Sequence, residues 1–111
     1  MELKRTTESL AALAQETRLR VFRVLVRAGE TGLPAGRIAT ELAVNATTLS
    51  RHLAVMESAG LLQSERRVRQ IIYRVNFPAV QGLFAFLLED CCAGEVRVSG
   101  KCCEGAEDLK P

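Results

Sequence analysis

The stretch from Pro34 to Val75 constrains the fold more than any other part of the chain. Pro34 suits the first turn of a helix, where its fixed φ and missing N–H do no harm. Ile38, Ala39 and Leu42 then recur at helical spacing, predicting a short helix over Ala35 to Leu42. Ala43-Val44-Asn45 forms a three-residue joint whose asparagine can cap a second helix. From Ala46 to Ala59 the apolar positions Leu49, Leu53 and Met56 mark one buried stripe, ended by Gly60. Thr47, Thr48, Ser50, Arg51 and His52 therefore point elsewhere. Leu61 to Glu65 and Gln70 to Val75 are β-prone runs, with Ile71, Tyr73 and Val75 in phase on one face. Between the runs lie Arg66, Arg67 and Arg69. Two short helices across a tight turn, followed by a hairpin with a basic tip, predict a winged helix-turn-helix. The expected class is mainly α with a small β-hairpin.

The flanks are helical. Glu8 to Ala28 reads as two pieces. Leu10, Leu13 and Ala14 form a short stripe, Thr17 is a plausible N-cap, and Leu19, Phe22, Leu25 and Val26 mark the second inward face. Arg18, Arg20, Arg23 and Arg27 take the other positions, where surface and intersubunit pairs are expected, and Gly29 is a natural stop. Near the other end, Val80, Leu83, Phe84, Phe86, Leu87 and Leu88 cover more of one helix than a small core can bury. A second subunit packed on that helix would account for the excess.

Composition narrows the function. The 111 residues suffice for one domain, and 48% hydrophobic with 25% charged residues is ordinary for a globular chain. The formal charge of +2 hides an asymmetry. Up to Asn76 there are 12 basic and 7 acidic residues, net +5; from Phe77 onward there are 3 and 6, net −3. The longest uncharged apolar-rich run, Phe77 to Leu88, has 12 residues, short of a membrane span, so no membrane partner is expected. MELKRTTESL has no apolar signal core, so the expected setting is cytoplasmic and reducing, with thiols as the default state of cysteine. One histidine, no tryptophan and no GxGxxG, GxxxxGK or GxSxG motif leave little support for an enzyme.

The basic wing and polar-faced helix suit double-stranded DNA. The helix would enter the major groove while guanidinium groups meet phosphates. Arg51 is the best base reader, because guanidinium can bond bidentately to guanine. Thr47, Thr48 and Ser50 share its groove-facing side. His52 has two readings, a phosphate contact or a structural histidine bonded to backbone. Arg66, Arg67 and Arg69 could equally form a solvated turn in isolation, but in a winged helix they become phosphate ligands.

Ala14-Gln15-Glu16-Thr17-Arg18-Leu19-Arg20, Ser50-Arg51-His52-Leu53, Ser58-Ala59-Gly60-Leu61 and Ile72-Tyr73 occur in the order that resembles the ArsR/SmtB family of bacterial winged-helix metalloregulators. The resemblance covers about residues 8–90. It implies a homodimer joined by its first and last helices. It also implies a repressor released from its operator by a toxic metal or metalloid. The departures are informative. Where such proteins carry a Glu-Leu-Cys-Val-Cys inducer site, this chain has Glu41-Leu42-Ala43-Val44-Asn45. The family's zinc-type site needs histidine on the last helix, and the one histidine here is His52. The glycine common at the wing tip is missing, with Val68 between Arg67 and Arg69.

An inducer site is then left to Cys91, Cys92, Cys102 and Cys103, all within the last 21 residues. Thiols without imidazole make a soft ligand set. Trivalent arsenic (arsenite) or antimony takes three thiolates in a pyramid, which two vicinal pairs nine residues apart can supply. Neighbours on a helix point about 100° apart, so Cys91 and Cys92 converge only if the helix unwinds, and Ala93-Gly94 is a suitable place. Cys91, Cys92 and Cys102 form the favoured triad, with Cys103 as a substitute. Family members with such a pair and a later cysteine are arsenic sensors, which the resemblance lends to this reading. The alternatives are zinc or cadmium on four thiolates, a methylated trivalent arsenical on two, and an inert or oxidisable tail. The expected organisation is a DNA-binding and dimerisation domain over 1–90 and an inducer-binding tail over 91–111. A thiol metalloid buffer without DNA binding is the rival from another class, although a buffer needs no basic wing.

Overall fold

The computed structural model describes residues 2–89, so the four cysteines and the tail expected to bind an inducer lie outside the described residues. The elements run α1 (Leu3–Leu13), α2 (Glu16–Ala28), a 3-10 turn (Gly29–Thr31), β1 (Leu33–Pro34), α3 (Ala35–Leu42), α4 (Ala46–Ser58), β2 (Leu62–Arg67), β3 (Gln70–Val75) and α5 (Phe77–Leu87). The strands form one antiparallel sheet in the order β1-β3-β2. The β2–β3 ladder pairs Leu62 with Val75 at its base and Arg67 with Gln70 at its tip. This is the winged helix-turn-helix expected, with an added strand where Leu33 and Pro34 pair with Tyr73 and Ile72.

The core gathers Val21, Leu25, Ile38, Leu49, Leu53, Met56 and Leu61, all almost inaccessible to solvent. Each such side chain contributes about 1.5–3 kcal/mol by leaving water. Ile38 and Leu42 on α3 and Leu49, Leu53 and Met56 on α4 face inward as their spacing predicts. The joint between those helices closes because Ala43 adopts a left-handed conformation at φ 56° and Val44 N–H donates to Ala39 O at 3.0 Å.

The first two helices depart from expectation. α1 begins at Leu3 rather than Glu8, and it buries Thr6, Ser9 and Ala12; of the expected stripe Leu13 is partly buried against the core, whereas Leu10 and Ala14 are exposed. Small residues let its backbone come close to α4, and Ser9 Oγ donates to Ala59 O at 3.4 Å. Leu3 and Leu10 are left outside. α2 is capped by Gln15, not Thr17: the Gln15 side chain accepts from Arg18 N–H at 2.9 Å, and Thr17 lies inside the helix. Its buried stripe is Val21, Val24 and Leu25, whereas Leu19 and Val26 are exposed and Phe22 is half-buried. Helical periodicity admits either face when apolar residues exceed one stripe, and packing against α4 and β3 selects one.

In the wing, β2 spans Leu62–Arg67 rather than Leu61–Glu65, and β3 buries Ile72 and Val75 while Ile71 is exposed. The three-residue step between the buried positions puts them on opposite faces of the strand. Gly32, at φ 71° with extended ψ, lets the chain pass against β3. A Cβ there would collide with the carbonyl oxygen of Tyr73.

Candidate nucleic-acid interface

The polar face of α4 is held open by its cap. Asn45 Oδ1 accepts from Thr47 N–H at 2.7 Å and Thr48 N–H at 3.3 Å, satisfying two donors of the first turn. Leu49, Leu53 and Met56 anchor the opposite face in the core. Thr47, Thr48, Ser50 and Arg51 are left exposed. A helix fixed by its apolar stripe with a short polar and cationic outer face can present hydrogen-bonding groups to base edges in a major groove.

His52 lies at the edge of that face and differs from its neighbours. It is half-buried, and Nδ1 sits 3.2 Å from a guanidinium nitrogen of Arg18. Arg18 also donates through Nε to Ala12 O at 2.6 Å, at the end of α1. The contact that the ring makes within the fold is to an arginine side chain rather than to backbone. Partial burial, then the charges of Arg18 and Arg51, hold its pKa below the ordinary imidazole value. Among the α2 arginines, Arg18 is therefore an internal bridge, and Arg20 donates to Leu42 O at 3.4 Å.

The wing arginines divide into two kinds. Arg66 and Arg69 are exposed and have no carboxylate partner among the described residues. Arg67 is held by Glu65, with Nε at 3.2 Å from one carboxylate oxygen and a terminal nitrogen 3.3 Å from the other. Arg74 of β3 donates to the same carboxylate at 3.1 Å. Hydrogen bonds from Arg67 and then Arg74 hold the Glu65 carboxyl below the usual carboxylate range. Glu65 was invisible as a site residue in the sequence because only the strand register brings Arg74 beside it.

Between the start of α3 and the wing runs an open groove of about 720 Å³, lined in part by Arg37, Thr40, Arg69 and Gln70. Arg37 has only a long 3.8 Å exposed pair with Glu41. The first helix of a helix-turn-helix crosses the DNA backbone, and Arg37 is an exposed cation on that helix that no motif in the sequence singles out. Its place on the outer side of the first helix was the available signal. Thr47, Thr48, Ser50, Arg51, Arg66, Arg69 and Arg37 thus belong to α3, α4 and the wing, whereas Cys91, Cys92, Cys102 and Cys103 lie outside the described residues. Among the described residues no three His, Cys, Asp or Glu side chains are grouped to hold a metal ion. No helix there is long and apolar enough to cross a membrane.

Comparison with known proteins defines the class. A family model described as a helix-turn-helix domain matches residues 13–65. Over 93 residues the chain is 30% identical to the HTH-type transcriptional regulator YgaV of Escherichia coli (strain K12), covering 82% of this chain and 94% of that protein. The homodimeric winged helix-turn-helix DNA-binding domain Mb0332 of Mycobacterium bovis, described as a possible ArsR-family transcriptional regulator, superposes with a TM-score of 0.66. It is 30% identical, with 77% of this chain and 76% of that chain covered. A structure described as a possible transcriptional regulator for arsenical resistance gives a TM-score of 0.64 at 26% identity, covering 72% of this chain and 80% of that one. The protein is a DNA-binding transcriptional regulator and not an enzyme. The chain belongs to the ArsR-type winged helix-turn-helix regulators.

Proposed function

We propose that the protein is a homodimeric repressor that binds double-stranded operator DNA and is released when trivalent arsenic or antimony binds its C-terminal thiols. The observation that carries the DNA half is the capped α4, whose exposed Thr47, Thr48, Ser50 and Arg51 accompany wing arginines, Arg66 and Arg69, that no carboxylate among the described residues engages. Dimerisation is supported by apolar side chains left outside on both terminal helices: Leu3 and Leu10 on α1, and on α5 Phe84 and Leu87, which keep 42% and 47% of their surface. One structural relative is itself homodimeric. Two recognition helices related by a two-fold axis would enter successive major grooves one helical turn apart.

The inducer half rests on Cys91, Cys92, Cys102 and Cys103, which begin two residues after Glu89, and on the relative described as a regulator for arsenical resistance. Arsenite, As(OH)₃, condenses with three thiols to give three As–S bonds and three waters, with no change of oxidation state. Gathering Cys91, Cys92 and Cys102 fixes the chain directly after α5. If α5 is half of the dimer interface, the change alters the separation of the recognition helices. Coupling of this kind amounts to about 1–3 kcal/mol and is reciprocal, so operator DNA weakens metalloid binding by the same factor.

A gel-shift titration of reduced protein tests the reading. Arsenite is expected to lower operator affinity, and Cys91→Ser or Cys92→Ser to abolish release while leaving apo binding intact. Arsenite without effect, alongside release by zinc or cadmium, would move the inducer to the divalent metals. Absence of salt-dependent DNA binding would leave a metalloid buffer.

A further inference from the structure

The wing tip carries two features that the fold itself does not explain, both on Val68. The hairpin turns through Val68 and Arg69 between the paired Arg67 and Gln70. Val68 takes a left-handed backbone at φ 51°, a conformation that a β-branched residue resists and that glycine or asparagine would adopt freely. Its side chain is also 94% exposed, touching almost nothing in its own chain. Strain and an exposed apolar side chain thus coincide on one residue, with no internal contact to offset either.

We propose that Val68 is an apolar contact residue that enters a DNA minor groove flanking the α4 site, making the wing a reader of groove shape. This rests on the DNA-binding reading above and adds to it a residue and the feature it senses. The surroundings name the ligand. Arg66 and Arg69 lie exposed beside Val68, and the carboxylate of Glu65 is already taken up by Arg67 and Arg74. A tip that is cationic at its sides and apolar at its apex matches a narrow minor groove, whose phosphates flank walls of sugar C–H groups.

The reach also fits. Asn76 locks the base of the hairpin to the end of α4, its N–H donating to Leu61 O at 2.9 Å and its side-chain amide to Gly60 O at 3.2 Å. From that base the six residues of β2 extend about 20 Å. Half of the roughly 34 Å helical repeat separates a major groove from the next minor groove, a comparable distance. A·T-rich flanks, with their narrower and more negative minor groove, are the expected preference.

The test uses the full chain and a duplex selected by it from a random-sequence pool, remade with either A·T or G·C flanks around the same core. Val68→Gly and Val68→Asn both relieve the backbone, so each is expected to unfold at equal or higher urea concentration than the parent. Each is nevertheless expected to bind the A·T-flanked duplex about five- to tenfold more weakly, as loss of partial burial of a valine side chain implies. Affinity for the G·C-flanked duplex, and the slope of log affinity against log salt, should stay unchanged, since no charge is removed. Equal or tighter binding of both variants to the A·T-flanked duplex overturns the proposal and leaves the DNA-binding reading standing. A parent that selects no duplex overturns both.

Discussion

One guanidinium nitrogen of Arg18 lies 3.2 Å from Nδ1 of His52, while Nε of the same group donates to Ala12 O at 2.6 Å. Arginine keeps its protons, so Nδ1 is the acceptor and the imidazole is neutral with its hydrogen on Nε2. One side chain of α2 thereby ties the end of α1, which carries part of the exposed apolar surface, to the recognition helix.

The pH behaviour of His52 follows first from its partial burial and then from the charge of Arg18. Because the folded protein holds the pKa of His52 low, the unfolded chain binds the extra proton first. The stabilisation is complete above about pH 6.5, the ordinary imidazole value, and is lost as pH falls through the lower folded-state value. His52 is the chain's one histidine, so its ring signals can be followed by NMR without assignment. The titration midpoint is expected below 6.5 and should rise in Arg18→Gln, with operator affinity falling several-fold at unchanged dimerisation. A midpoint at or above 6.5 in the parent would refute the bridge.

Glu65 restrains the charge of the wing. Replacing it by Gln frees Arg67 and Arg74, so non-specific duplex binding should strengthen. The salt slope should steepen by about 0.9 for each guanidinium that gains a phosphate. Its depressed pKa also means that this carboxylate stabilises the wing above the unfolded carboxyl value of about 4.3, a contribution lost as pH falls through its folded value. Fluorescence anisotropy across a salt series checks the first effect; an unchanged slope would show that Arg67 already contacts DNA in the parent.

Arg51 and Arg37 should separate base reading from phosphate contact. Arg51→Ala is expected to lose about 1–3 kcal/mol on the preferred duplex and to relax sequence preference at one position. Arg37→Ala should weaken preferred and random duplexes alike and reduce the salt slope by about one. Competition binding with both duplexes distinguishes them, and a swapped pattern would reverse the roles.

Gly32→Ala should lower stability by about 2–4 kcal/mol, since the new methyl meets the Tyr73 carbonyl at a backbone conformation open in practice only to glycine. Urea denaturation measures it. A loss below about 1 kcal/mol would mean that β1 can move away from β3 without penalty.

The recognition unit was legible in the chain because its cues are local. Ile38, Leu42, Leu49, Leu53 and Met56 are periodic, Asn45 is a strong cap, and Arg69 sits in the hairpin turn with Arg66 near the end of the strand before it. Local chemistry could not choose between two apolar faces on α1 and α2, where Leu10 and Leu19 lost to Ala12 and Val21. That choice depends on how closely α4 approaches, which small side chains permit and large ones prevent. The Arg18–His52 bridge joins residues 34 apart in sequence, and the β3 register brings Arg74 to Glu65. No spacing rule encodes such pairings. By itself the sequence determined the helix-turn-helix, its cap and its basic tip; the tertiary structure decided which helix faces are buried, which wing arginines the Glu65 carboxylate holds, and that Val68 stands strained and exposed at the apex of the wing. The division is physical: caps and periodicity act within one or two turns of chain, whereas burial, ion pairing and close backbone approach require the elements to have met.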